Sequence, residues 1–288
     1  MRRLLYGLKA IVDYLKRVQL VFLVGGVMIQ LANTLTGNNP QREQRIQALM
    51  LDRIAMKYQR RIAREIARAM NEVANNLSDP TRRPGIMAKH TAKMGRILNS
   101  LWFESGEDMA NHIGSHEKAI AGYQTKANGD DIPTTLIANA SMTRWVSQFG
   151  AAKIVGITRT TQEDVNKIIA DSVAEGLSER QTAKAIRGLS AFRGSSRSGT
   201  IARTETHSAA NVAAQATAKA AGVQMRREWV SAKNERTRKA HKDADGQVVG
   251  MDEPFRVGGY DLMFPSDYAS NAPARLTINC RCAVAYIL

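Results

Sequence analysis

Residues 44–77 constrain the fold more than any other stretch. Ile46, Met50, Ile54, Tyr58, Ile62, Ile66, Met70, Val73 and Leu77 recur at steps of three and four, which places them on one face of a single long helix. The remaining faces carry Arg45, Arg53, Lys57, Arg60, Arg61, Arg64 and Arg68. A basic amphipathic helix of this length packs its apolar stripe on a partner and turns its cations outward. The simpler reading is a bundle helix with a solvated basic face. Ser78-Asp79-Pro80 and Arg83-Pro84-Gly85 then break it.

The charge of the whole chain extends that observation. Its 288 residues hold 41 Lys and Arg against 26 Asp and Glu, a formal +15. Residues 1–100 carry 18 basic and 6 acidic groups, so the excess belongs to the N-terminal third. Such a balance points to an anionic partner, most simply the phosphates of double-stranded DNA bound without sequence preference. Aromatics are 6 % of the chain, which argues against a base-stacking platform. We assign Arg53, Lys57, Arg60, Arg61, Arg64 and Arg68 to a surface facing nucleic acid or a protein partner. Residues 18–35 form the one long apolar run, preceded by Lys16 and Arg17. Gln19, Gln30 and Asn33 interrupt it at a cost in lipid. It reads as a buried or partner-packed helix, with a transient membrane contact as the alternative.

Helical patterns continue over 86–102, 107–123 and 132–149, with a turn at 127–131. Thr161 reads as an N-cap before Glu163 and Asp164, and Gly176 as the end of that helix. Ser178 and Gln181 form a capping box for a short helix ending near Gly188. Residues 193–199, rich in Gly and Ser, read as a flexible connection to an Ala-rich helix over 200–221, with Gly222 at its C′ position. His90, His112 and His116 lack any accompanying Cys or Glu pattern and read as surface or core histidines. Beyond Gly222 the texture changes. Residues 227–232 and 281–287 look like strands, separated by Gly- and Pro-rich loops. The fold class is therefore mainly α: an N-terminal helical region with a long amphipathic helix, plus a small C-terminal α+β module. The divisions are an apolar segment at 1–43, a basic helical region at 44–155 and a C-terminal unit at 156–288.

Both cysteines of the chain, Cys280 and Cys282, lie two positions apart near its end. That spacing is too tight for an easy disulfide but suits two thiolates presented to one ion. A loop 40 residues upstream supplies His241, Asp243 and Asp245. His241, Asp245, Cys280 and Cys282 make a candidate structural zinc set, with His207 or Asp243 as other choices for the fourth ligand. Two buried apolar thiols beside a hydrogen-bonded histidine are the plainer reading. A metal at His207 with Glu205 as base would make a nuclease or other hydrolase. The chain lacks H-E-x-x-H, G-x-S-x-G and P-loop patterns, and the reading is non-enzymatic.

Four segments occur in order: Ile201-Ala-Arg-Thr-Glu-Thr-His207, Glu228-Trp-Val-Ser-Ala232, residues 235–246 containing Arg238, His241 and Asp245-Gly246, and Asn279-Cys-Arg-Cys282. Together they resemble the phage Mu F-like minor head protein family, also called the phage head morphogenesis domain, over roughly residues 160–288. The matched positions are Arg203, Thr204, Glu205, Trp229, Arg238, His241, Asp245, Gly246, Asn279, Cys280 and Cys282. Lys239 stands where the family commonly has proline. The resemblance implies a structural component of a tailed-phage virion, at the portal vertex or head interior, made in the host cytoplasm. It implies contact with the portal protein, and with the major capsid or scaffolding protein. It implies roles in head morphogenesis, genome packaging or ejection, and no enzymatic activity. The rivals are a metal-dependent hydrolase and a membrane-active ejection protein acting through 18–35.

Overall fold

The long helix begins at Asn39, whose Oδ1 accepts the N–H groups of Gln41 (2.9 Å) and Arg42 (3.2 Å), with Pro40 in the first turn. In the computed structural model, which describes residues 39–121, 133–221 and 224–287, this helix, α1, spans Pro40–Ala74. The expected stripe holds from Ile54 to Val73, all buried. It slips at the start, where Ile46 is exposed and Glu43, Gln44 and Gln47 are buried instead. The cause is tertiary. Gln44 Nε2 donates to the Arg281 carbonyl (2.8 Å) and Gln47 Nε2 to the Val284 carbonyl (3.3 Å), so the first turns of α1 cover the edge of a sheet. The apolar run at 18–35, the turn at 127–131 and Gly222 lie outside the described residues.

After a 3₁₀ turn at Pro80–Arg82, α2 runs from Arg83 to Ala121 without interruption, where two helices were expected. Its glycines are contact points rather than breaks. A Cβ on Gly106 would lie 2.7 Å from Met142 Cγ, and one on Gly114 would lie 2.3 Å from Thr134 Cγ2. Both neighbours belong to α3, Thr134–Trp145, which lies against α2 because those side chains are missing. A π-turn at Val146–Gly150 leads into α4, Ala151–Ala174. It sets the Trp145 ring edge-on to Trp102 at 5.4 Å.

Thr161 is not an N-cap. It is buried inside α4, where its Oγ1 accepts from Arg197 (2.9 Å). Gly176 ends α4 as expected, at φ +67°, with Leu177 N–H on the Ser172 carbonyl and Gly176 N–H on the Val173 carbonyl, a Schellman pair. The Ser178–Gln181 capping box is present and opens α5. That helix runs 42 residues, Glu179–Ala220, through the stretch expected to end near Gly188 and to be flexible at 193–199. Gly199 faces the Gln59 amide of α1, where a Cβ would meet it at 3.3 Å, so small residues here admit a neighbouring helix.

The helices meet over Ile54, Ile62, Ile66, Met94, Leu98, Trp102 and Ile186. The C-terminal module then sits on their flank. β1 (Arg226–Val230) lies between β2 (Val248–Gly250) and β5 (Ala283–Ile287), all antiparallel, with Trp229 opposite Val284. β3 (Phe255–Val257) and β4 (Tyr260–Leu262) form a hairpin turned by Gly258 and Gly259, both at positive φ as a type I′ turn requires. Two short helices, α6 (Lys239–Asp243) and α7 (Ala274–Thr277), punctuate the loops. The fold class is mainly α with a small α+β part, as the sequence indicated. Among the described residues no helix is long and apolar enough to cross a membrane.

Candidate metal centre and the motif residues around it

The module has few large apolar side chains, and Trp229 on β1 is its hub. Its ring stands edge-on to His241 at 5.6 Å and to Phe255 at 5.4 Å. Ala210, Ala214 and Ala218 of α5 supply the small surface on which Trp229, Cys280, Cys282 and Val284 pack. His241 is held on the single turn of α6. Arg238 precedes that turn with its Nη2 donating to the Ile278 carbonyl (2.6 Å), which ties α6 to the segment carrying the cysteines.

Asp245 and Gly246 lock the loop to β1. Gly246, at φ +78°, donates its N–H to the Trp229 carbonyl (2.8 Å), and Asp245 Oδ1 accepts the Ser231 N–H (2.7 Å). The other carboxylate oxygen pairs with Lys233 Nζ at 3.0 Å. Asp245, expected as a metal ligand, is therefore a turn anchor, and Asp243 is an exposed partner of Lys239.

The remaining expected ligands converge. His241 Nδ1 lies 3.3 Å from Cys282 Sγ and 3.4 Å from Cys280 Sγ, and all three residues are buried. The three ligand atoms lie within 4.8 Å of one another. Asn279 makes the bend that presents the thiols. It sits at φ +58°, a left-handed value asparagine tolerates. Its N–H donates to Thr204 Oγ1 (2.9 Å) and its Oδ1 accepts from Arg203. Arg203 and Arg281 both reach Asp52 of α1, at 3.5 and 3.2 Å. Arg203, Thr204 and Asn279 thus close the C-terminal strand onto α5. Hydrogen bonds from Cys282 and from His241 hold the Cys280 thiol well below its ordinary range despite burial. Donation to Cys280, with burial, pushes the Cys282 thiol up. Burial, with the nearby charges of Arg203 and Arg281, drives His207, one turn along α5, down to about 4 against the opposing pull of Cys280 and Asp52.

Glu205 does not face this cluster. Its carboxylate accepts Trp102 Nε1 (2.9 Å) and both oxygens meet Lys153 Nζ (3.0 and 2.9 Å), in a buried ion pair joining α2, α4 and α5. A carboxylate so engaged is not poised as a base for a metal at His207.

The six cations assigned to an outer surface divide. Arg53 pairs with Asp108 (3.3 Å), Lys57 with Glu104 (2.7 Å) and Arg68 with Glu65 (2.8 Å), while Arg61 covers the Tyr58 ring at 5.0 Å. Arg60 and Arg64 are exposed. Arg227 was not singled out, yet it is fully buried on β1 and donates to the carbonyls of Gly250, Glu253 and Met263. The signal was available: Arg227 lies two positions before the inward Trp229, on the same face of the strand.

Comparison with known proteins agrees with this geometry. Residues 163–285 match the model of the family described as Phage Mu protein F like protein. That bears out the resemblance read from the motifs: this segment of the chain is similar to the Phage Mu protein F like family. A minor head protein of Bacillus phage SPP1 is 33 % identical over 96 residues, covering 30 % of this chain and 28 % of that protein. An uncharacterized Bacillus subtilis protein is 23 % identical over 162 residues, 55 % of this chain and 52 % of its own. An Enterococcus faecalis protein named as an NAD(+)–arginine ADP-ribosyltransferase is 32 % identical over 85 residues, 28 % of this chain and 17 % of its own. The chain thus spans about half the length of one of these relatives and less than a third of the other two. No solved structure matches it.

Proposed function

We propose, from the premise that residues 163–285 form a Phage Mu protein F like domain, that this chain acts at the portal vertex of a tailed-phage head, binding the portal protein and packaged DNA. The observation that carries the reading is the family match over the segment whose motif residues fold into one unit. Arg203 and Thr204 on α5 close on Asn279, Arg238 closes on Ile278, and Asp245-Gly246 closes on β1. These residues build a scaffold, each tying one segment to a distant one. A structural role in the virion follows from that use of polar side chains, with head morphogenesis, genome packaging and ejection as the stages it serves.

The charge distribution supports the DNA part. Arg45, Arg60 and Arg64 on α1 are exposed, and the pairs made by Arg53 and Lys57 are of the surface kind that salt and phosphate readily displace. Contact with phosphate alone would bind any sequence and weaken steeply with salt.

The test is to co-assemble the chain with its portal protein and image the particles. Density of this chain beside the portal ring is the expected result, and density confined to the capsid shell away from that vertex would overturn the placement. Duplex binding is measured separately by anisotropy against salt. Arg60→Ala with Arg64→Ala should lower the slope of log K on log salt by about 2, at roughly 0.9 per lost phosphate contact. Equal slopes in both proteins would remove DNA from the reading.

A further inference from the structure

The cluster beneath Trp229 converges on one ring nitrogen. One ring nitrogen, His241 Nδ1, has two sulfurs at 3.3 and 3.4 Å, yet it holds at most one proton and can share it along one line. Tetrahedral zinc with Zn–S of about 2.3 Å and Zn–N of about 2.0 Å sets nitrogen–sulfur edges of roughly 3.5 Å. The observed separations sit close to that edge. Two thiolates and an imidazole are a soft donor set, suited to zinc over calcium or magnesium.

A second observation points to the remaining ligand. His207 is buried, and neither ring nitrogen has a hydrogen-bond partner among the described residues. Buried imidazoles rarely go without one. His207 lies three residues after Thr204 on α5, outside the group of three whose ligand atoms lie within 4.8 Å of one another, so a shift of its side chain is needed for it to complete the shell. Thr204 receives the Asn279 N–H, so the residue next to Cys280 is pinned to α5. The carboxylates that might compete are committed elsewhere, Asp245 to Ser231 and Lys233, Asp243 to Lys239.

We propose that His207, His241, Cys280 and Cys282 form a structural zinc site that clamps the last strand and α6 onto α5. The site joins three segments far apart in sequence, in a module with little apolar mass of its own. Its four protein ligands leave no open position, so it holds shape and performs no chemistry on a substrate. The proposal is independent of where the chain sits in a virion.

The full chain, purified under reducing conditions from zinc-replete cells, is expected to contain one zinc per molecule. X-ray absorption at the zinc edge should show two sulfur and two nitrogen neighbours in the wild-type protein, which needs no variant to fold. Cys282→Ser and His241→Gln should each lower zinc affinity at least tenfold in competition with a chromophoric chelator. Asp243→Asn should leave it unchanged. A wild-type protein that carries no zinc and takes up none on titration would overturn the site. A zinc shell unchanged in His207→Gln would overturn the assignment of the fourth ligand.

Discussion

Helices α1, α2 and α5 meet over a continuous apolar core from Ile54 to Ile186, whereas the module from β1 to β5 leans on polar side chains that reach backbone groups. In the helical body each segment satisfies its own N–H and C=O groups, and side chains are free to be apolar. In the module the strands are three to five residues long and the loops between them must be tied individually. Arg227 caps the carbonyls of 250, 253 and 263, Asp267 accepts the N–H groups of Met263 and Ala269, and Asp245 accepts that of Ser231. The comparison teaches that buried charge joins helix to helix in one region, as in Lys153 with Glu205, and ties loop backbone to strands in the other, as in Arg227 and Asp267.

The largest expected effect comes from the buried ion pair inside the helical body. Glu205→Ala leaves Lys153 buried without its carboxylate and should cost about 3–5 kcal/mol in urea unfolding. The double variant Glu205→Leu, Lys153→Met should recover most of that loss. A single variant within 1 kcal/mol of wild type, as an order-of-magnitude threshold, would show that the pair is solvated in solution.

Next is Arg227→Met, which keeps the bulk and removes the donor shared by the carbonyls of Gly250, Glu253 and Met263. It should cost about 2–4 kcal/mol. Hydrogen exchange should accelerate in β1, β2 and the loop to Asp267 while α1 and α2 stay protected. Uniform loss of protection would mean that the two regions unfold as one unit. Gly106→Ala puts a methyl against Met142 Cγ, and because the thioether can shift the cost should be about 1–3 kcal/mol. A stabilised variant would show that α3 is not held by that close approach.

The smallest effect is one of pH. Burial lowers the His90 pKa below its ordinary value in spite of Glu65 at 3.4 Å. Between that lowered value and about 6.5 the unfolded chain binds a proton that the folded chain refuses. His90 therefore contributes full stability above about pH 6.5 and loses it as pH falls. His90→Gln should flatten the fall in urea midpoint between about pH 7 and pH 5.5, and an unchanged pH profile would assign that fall to other groups.

Much was legible from local chemistry. The long helix, the capping box at Ser178, the glycine stop at Gly176 and the two outer strands depend on neighbours within a few residues, and each stands where its pattern placed it. The readings that failed share one cause. The gap containing Gly106, Thr161 and the Gly/Ser stretch at 193–199 look like breaks or caps in isolation, yet each lies inside a helix. Long-range packing rewards a small or hydroxyl side chain there by admitting a neighbouring helix or accepting an arginine.

The candidate site divides the same way. His241, Cys280 and Cys282 could be grouped by residue type alone, since thiols two apart and a distant histidine have few other uses together. Which group stands fourth could not be read from spacing. Asp245 was the expected choice and His207 an alternative, and only the fold shows that carboxylate spent on Ser231 and that imidazole left without a hydrogen-bond partner among the described residues. The sequence by itself determined the helical periodicity, the strand pair and the family resemblance, because periodicity, caps and ordered motifs are local signals. The tertiary structure alone decided which polar groups anchor and which remain available, because a side chain's role depends on the atoms that reach it from far along the chain.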